Sequence, residues 1–151
     1  MIVVRLANKQ DAFYISENMR LADQEEFYKV TGERDALASI LLGLESNKSI
    51  TYCILNNDIP MALVGCIEKS DFKIVWACGT DEITKHGKSF VVETRKLLKK
   101  HHSEFKPYLN YVDCENSNAV RYLKHVGFKI LDPIAYGKLE AKFYPFIWGA
   151  D

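Results

Sequence analysis

Tyr111-Val112-Asp113-Cys114-Glu115-Asn116-Ser117-Asn118-Ala119-Val120-Arg121-Tyr122-Leu123-Lys124-His125-Val126-Gly127-Phe128 reads as a strand, a short helix and a second strand. Tyr111 to Asp113 end an apolar run that begins at Tyr108, after Pro107. Asn116 stands where a side-chain oxygen caps a helix, and Ala119 is small enough to let that helix pack closely. Gly127 follows the last periodic residue, where a left-handed conformation stops a helix, and Phe128 returns the chain to the core. A strand-helix-strand step of this kind sets its strands parallel, with a right-handed crossover.

Working outward, Ile2 to Leu6 reads as a strand, and Asn8 as the cap of a helix reaching about Met19. Asp23 and Glu26, three apart, have capping-box spacing for a second helix that Gly32 ends. Glu33 to Leu44 carries Leu37, Ile40, Leu41 and Leu44 at helical spacing. The pattern then changes. Ser49–Leu55 and Pro60–Glu68 flank the turn Asn56-Asn57-Asp58 and read as a hairpin, with Pro60 at a strand's first residue. Phe72–Cys78 is apolar enough for a central strand, and a polar loop is expected from Thr80 to Gly87. A long helix follows over Lys88–His101, then the stretch quoted above, with last strands at Phe128–Leu131 and Lys142–Trp148. The order β-α-α-β-β-β-α-β-α-β-β, with the early helical region broken in pieces, predicts one domain over 1–151 of mixed α/β class: a mixed sheet with helices on both faces.

Composition narrows the functions. Twenty Lys and Arg balance twenty Asp and Glu, so the chain lacks the basic surplus of a broad nucleic-acid binder. No apolar run is long enough to span a membrane. Met1-Ile2-Val3-Val4-Arg5 is too short and too soon charged for a secretion signal. Cys53, Cys66, Cys78 and Cys114 lie in apolar runs with no C-x-x-C pair, as expected for reduced thiols in a cytoplasmic protein.

Asn116, Ala119, Gly127 and Phe128 match the Asn-x-x-Ala, helix, Gly-Phe pattern of the GCN5-related N-acetyltransferase (GNAT) superfamily, which this chain resembles. Other matches, Arg20-x-Ala22-Asp23-x-x-Glu26, Gly32, Trp76-x-x-Gly79-Thr80-Asp81-Glu82, Asn110 to Asp113 and Phe143-x-x-Phe146, are similar to phage internal virion or core proteins of GNAT-like fold. The resemblance implies two functions. One is acetyl-CoA-dependent acetylation of a small amine or a protein amine. The other is a catalytically silent role beside phage virion proteins, in the host cytoplasm or the virion.

The family holds the pyrophosphate of acetyl-CoA on backbone N–H groups at the mouth of the long helix, behind a Gly-rich loop. That place falls on Cys78, Gly79, Lys85, His86, Gly87, Lys88 and Ser89, with Asn116 nearby. The loop departs from the pattern: Gly87 is the glycine at the helix mouth, and Asp81 and Glu82 would repel phosphate. Gly87-Lys88-Ser89 is no P-loop, because Glu82 occupies the position of its first glycine. The family's acid, a Tyr four residues after the Ala, is Leu123 here. Tyr122 is its neighbour, about 100° away around the helix. Glu68, near a strand end, is the expected base, with Asp23, Glu25 and Glu26 as other carboxylates of the acceptor region.

Overall fold

A computed structural model describes residues 1–148. In chain order the elements are β1 Ile2–Leu6, α1 Lys9–Glu17, α2 Leu21–Thr31, α3 Leu37–Glu45, β2 Ser49–Asn56, β3 Ile59–Glu68, β4 Lys73–Gly79, α4 Glu82–Lys85, α5 Gly87–Lys100, β5 Tyr108–Asp113, α6 Ser117–Val126, β6 Lys129–Ile130, β7 Ile134–Tyr136 and β8 Ala141–Trp148. The strands form one mixed sheet in the order β1-β2-β3-β4-β5-β8-β6, with β7 also paired to β8. The mixed α/β class expected from the sequence is the one observed.

β1 to β4 form an antiparallel meander. Its β2–β3 hairpin turns on Asn57 and Asp58, both with positive φ, the two left-handed residues a tight hairpin requires. β4 then crosses through α5 to the parallel strand β5. β5 and β6 run parallel, as the strand-helix-strand reading requires, but β8 lies between them and pairs antiparallel with each.

Alternation along the strands assigns the two faces. Cys53, Leu55 and Leu63 join Ala12 and Ile15 of α1 and Ile40 of α3 in one core, against which Trp76 and Cys78 pack. Ile54, Ala62 and Val64 point to the opposite face and pack with Ile83 and Phe90. There Val75, Tyr108, Val112 and Phe146 meet Leu98 of α5 and Val126 of α6. Trp76 lies flat over its cross-strand partner Gly65, where any Cβ would run into the indole.

Several local expectations are corrected. The loop over Thr80–Gly87 contains the short helix α4, because Thr80 Oγ1 accepts the Glu82 N–H (3.2 Å) and Ile83 buries itself. α3 starts at Leu37 rather than Glu33, because Asp35 Oδ1 accepts the Leu37 N–H (3.0 Å) in a local turn. The three residues of β7 were too few to show a period. Asn8 does cap α1, accepting from the Asp11 N–H, while Asp11 Oδ2 accepts from the Asn8 N–H and pairs with Arg5. Asp23 is not a cap: α2 begins at Leu21 with Arg20 in the cap position, and Asp23 turns into the core. Asn116 occupies the cap position of α6, but its side chain makes no capping bond and also points inward.

Candidate active site

β4 and β5 are paired only at Lys73↔Tyr108 and Ile74↔Leu109. Beyond Ile74 they part. The first step of the opening is bridged by a side chain, with Asn110 Nδ2 donating to the Val75 carbonyl (2.8 Å). Lys73 N–H reaches the Pro107 carbonyl on the β5 side, and Gly79 also turns its N–H and C=O away from β3. With a period of two, Ala77 turns its backbone toward the split as well, and no strand there receives it. Ala77 is an exposed residue within an interior strand, the direct sign of an open sheet. The split lies at the carboxyl ends of two parallel strands, the place where open α/β sheets take ligands.

A cavity opens on each side of the split. The one beneath α5 and α6 has a volume of ≈ 120 Å³ and is walled by Val64, Val75, Phe90, Val126, Phe128 and Phe146. Thr94 also lines it, and its buried Oγ1 has no hydrogen-bond partner. The second cavity, ≈ 310 Å³, lies beneath α2 and α3. Asp23, Glu26, Trp76, Ala77, Cys78, Asn110 and Tyr111 line both, so they surround the passage between them.

Two carboxylates of α2 fill the places that a continuous β-ladder would have occupied. Asp23 Oδ2 accepts the Gly79 N–H of β4 (3.1 Å), and Glu26 Oε1 accepts the Asp113 N–H of β5 (2.9 Å). Asn116 Nδ2 donates to Asp23 Oδ1 (3.1 Å) and approaches Glu26 Oε1 (3.5 Å). Arg20 pairs with Asp23 (3.1 Å) and reaches Asn116 Oδ1 (3.4 Å), while its own N–H donates to the Gly79 carbonyl (2.8 Å). Arg20, Asp23 and Asn116 are all buried, so the network is held in low dielectric and each member depends on the others.

Burial raises the Glu26 carboxyl to about 7, with the nearby Asp23 and Asp113 carboxylates adding to the rise. Glu26 keeps some surface toward the cavities, yet protein surrounds the carboxyl closely enough for desolvation to dominate. Burial likewise raises Asp23 against the pull of Arg20. The Cys78 thiol is pushed up by burial and by both carboxylates, so it is no ready nucleophile.

The residues expected from the sequence scatter around this centre. Cys78, Gly79 and Asn116 meet at the split. Tyr122 lines the α5–α6 cavity; its hydroxyl donates to the Ile83 carbonyl (3.3 Å), and its ring lies against Phe90 and over Gly87. Leu123 faces the same cavity. Lys85 pairs with Glu82 at the surface, and the His86 ring accepts from Asn56 Nδ2 (3.1 Å) beside the β2 edge. Gly87, Lys88 and Ser89 form the first turn of α5 and line neither cavity. Glu68 stands apart from the split, exposed and paired with Lys106 and Lys73, which lower its carboxyl. Glu25 pairs with Arg34 at the surface. Among the described residues, no group of three or more His, Cys, Asp or Glu side chains is placed to hold a metal ion.

Glu26 had a legible signal. With Asp23 it puts two carboxylates three apart on one helix face, a spacing that serves a cleft as well as a cap. Ala77 and Thr94 had none, because nothing in their neighbourhood marks a backbone facing a gap or a hydroxyl facing a cavity.

Comparison with solved structures shows that this fold is shared with acetyltransferases, among them one of the GNAT family from Streptococcus pneumoniae. An N-acetyltransferase from Staphylococcus aureus is 14% identical, with 98% of this chain and 97% of that one aligned at a TM-score of 0.66. A spermidine N-acetyltransferase chimera of Vibrio cholerae SpeG and hSSAT is 16% identical over 97% and 93% of the two chains, at a TM-score of 0.69. The aminoglycoside acetyltransferase AAC(6')-Ib, in complex with coenzyme A, is 15% identical over 98% and 94%, at 0.66. No protein-family profile matches the chain, and no curated protein matches it significantly. These structures are acetyltransferases and give no support to the likeness with phage internal proteins. No helix among the described residues is long and apolar enough to cross a membrane.

Proposed function

We propose that this protein is an acetyl-CoA-dependent N-acetyltransferase, with Glu26 rather than Glu68 as its general base. The observation that carries the proposal is the β4–β5 split: an unpaired Ala77 backbone faces it, and a carboxylate raised to about 7 stands in the passage between two cavities. A base poised near neutrality accepts a proton from an ammonium group most effectively at physiological pH.

The residues present fit the cofactor. The apolar α5–α6 cavity suits a pantetheine arm, and the unpartnered Thr94 Oγ1 offers one polar contact along it. Gly87, Lys88 and Ser89 supply the N–H groups and the cation of a helix mouth for the pyrophosphate. Acetyl-CoA, when bound, supplies an acetyl group activated as a thioester. Glu26 removes the proton from the acceptor ammonium, so that the amine nitrogen carries a free electron pair. The Ala77 N–H, turned toward the split with no strand to receive it, would stabilise negative charge on a thioester oxygen held there. Tyr122, the tyrosine of α6 that lines the cofactor cavity, is the group we assign to give a proton to the coenzyme sulfur, and the second proton shed by the acylated nitrogen would restore its hydroxyl.

Calorimetric titration with acetyl-CoA, followed by detection of the free coenzyme A thiol in the presence of an amine, tests this reading. Saturable binding with thiol release is expected. A folded protein that takes up no acetyl-CoA would sink it, and leave the split as a scaffold feature.

A further inference from the structure

The second cavity, beneath α2 and α3, defines what kind of amine fits. It is ≈ 310 Å³ in volume, with apolar walls of Phe27, Val30, Ile40, Ile67, Ile74 and Trp76 and the uncharged polar side chains of Thr31, Ser39 and Asn110. One side is closed by Tyr111 and Tyr136, whose rings stack with centroids 3.9 Å apart and planes 15° from parallel. Among the described residues, Asp23 and Glu26 are the only carboxylates in its lining, and no Lys or Arg lines it. Asp23 is already paired with the buried Arg20 guanidinium at 3.1 Å. Only Glu26 is left to balance an incoming cation.

We infer that the acceptor is a compact monoamine with an aromatic or apolar body, bound with its ammonium at Glu26 and its body against Trp76 and the Tyr111–Tyr136 pair. This rests on the transferase reading above and narrows it. An amine with several charges would find no second free carboxylate in this lining, and each further ammonium group lodged among its apolar side chains would be an unpaired cation, which is costly. A flat apolar body instead gains by burial and by stacking on the aromatic walls. The substrate class therefore differs from the spermidine and aminoglycosides named for two of the structures that share this fold.

The test compares 2-phenylethylamine with spermidine at saturating acetyl-CoA. A kcat/KM for 2-phenylethylamine higher by about tenfold or more is expected, given the desolvation cost of the extra charges. Preference for spermidine overturns the substrate class and leaves the transferase reading intact. A second readout does not need turnover. Trp148→Phe makes Trp76 the only tryptophan, and its fluorescence reports the cavity directly. A saturable change with 2-phenylethylamine and none with spermidine supports the preference of this cavity for a monoamine, and a failure of acetyl-CoA to bind would then overturn only the word acceptor. No change with 2-phenylethylamine, in protein folded by circular dichroism, overturns it. Ser39→Asp places a second carboxylate at the exposed rim of this cavity. It is expected to shift the preference toward diamines by several-fold in either readout, and an unchanged ratio counts against the charge argument.

Discussion

The two edges of β4 have opposite fates. Toward β3 it is laddered from Ala62↔Gly79 to Glu68↔Lys73. Toward β5 it is paired at Lys73 and Ile74 and then open. On the closed side the backbone satisfies itself, and side chains decide only how the faces pack. On the open side backbone N–H groups still need partners, because a buried one left unpaired is costly. Here two of those partners are carboxylates of α2, Asp23 at Gly79 and Glu26 at Asp113. The same structural vacancy that opens a ligand site therefore draws acidic groups into low dielectric and raises the base it needs.

The sharpest way to break this comparison is Glu26→Gln. Acetyl transfer should fall by roughly 10²–10⁴-fold, the usual range for a lost general base. In the unmutated protein kcat/KM should rise with pH through about 7, the value to which Glu26 is raised. The effect on stability has the opposite sign. A carboxyl raised from 4.5 to about 7 on folding holds its proton more tightly in the native state. Its contribution is present below pH 4.5 and lost as pH climbs through 7, on the order of 3 kcal/mol in all. Glu26→Gln should remove that decline, which urea titrations at pH 5 and pH 8 would reveal.

Gly65→Val probes the closed side. Its side chain must displace the Trp76 indole from the β3–β4 face, and a loss of about 1–3 kcal/mol is expected from overpacking. A smaller loss would mean that Trp76 can swing into the neighbouring cavity. Asn116→Ala removes the amide shared by Asp23, Glu26 and Arg20, and should cost about 1–3 kcal/mol by leaving buried groups unsatisfied. It should also alter the pH at which kcat/KM turns over, which loss of a simple helix cap would not. Glu68→Gln should do least. Its partners are lysines at an exposed site, so stability should change by less than about 0.5 kcal/mol. Turnover should be unaffected. A large loss of activity in this variant would return Glu68 to the role its strand-end position first implied.

Residue types and their spacing were enough for most of the elements, though not for α4 or β7. Asn57 and Asp58 closed the hairpin, Gly127 stopped α6 in a left-handed conformation, and Asn8 capped α1, because each acts on backbone within a few residues of itself. The same local logic misled at Asp23 and Asn116. The sequence offered both as caps, yet only Asn116 holds a cap position, and both side chains turn inward to each other across 93 residues of chain. β8 entering between β5 and β6 was equally invisible, since pairing order depends on where a distant strand returns.

Sequence by itself therefore determined the longer helices and strands, the alternation of their faces and the mixed α/β class, all set by short-range sterics and hydrophobic period. Tertiary structure alone decided where the sheet opens and which carboxylate stands in the opening. Desolvation and backbone orphaning arise only when segments far apart in the chain are brought together, and Glu26 differs from Glu68 in that surrounding and in nothing their residue type records.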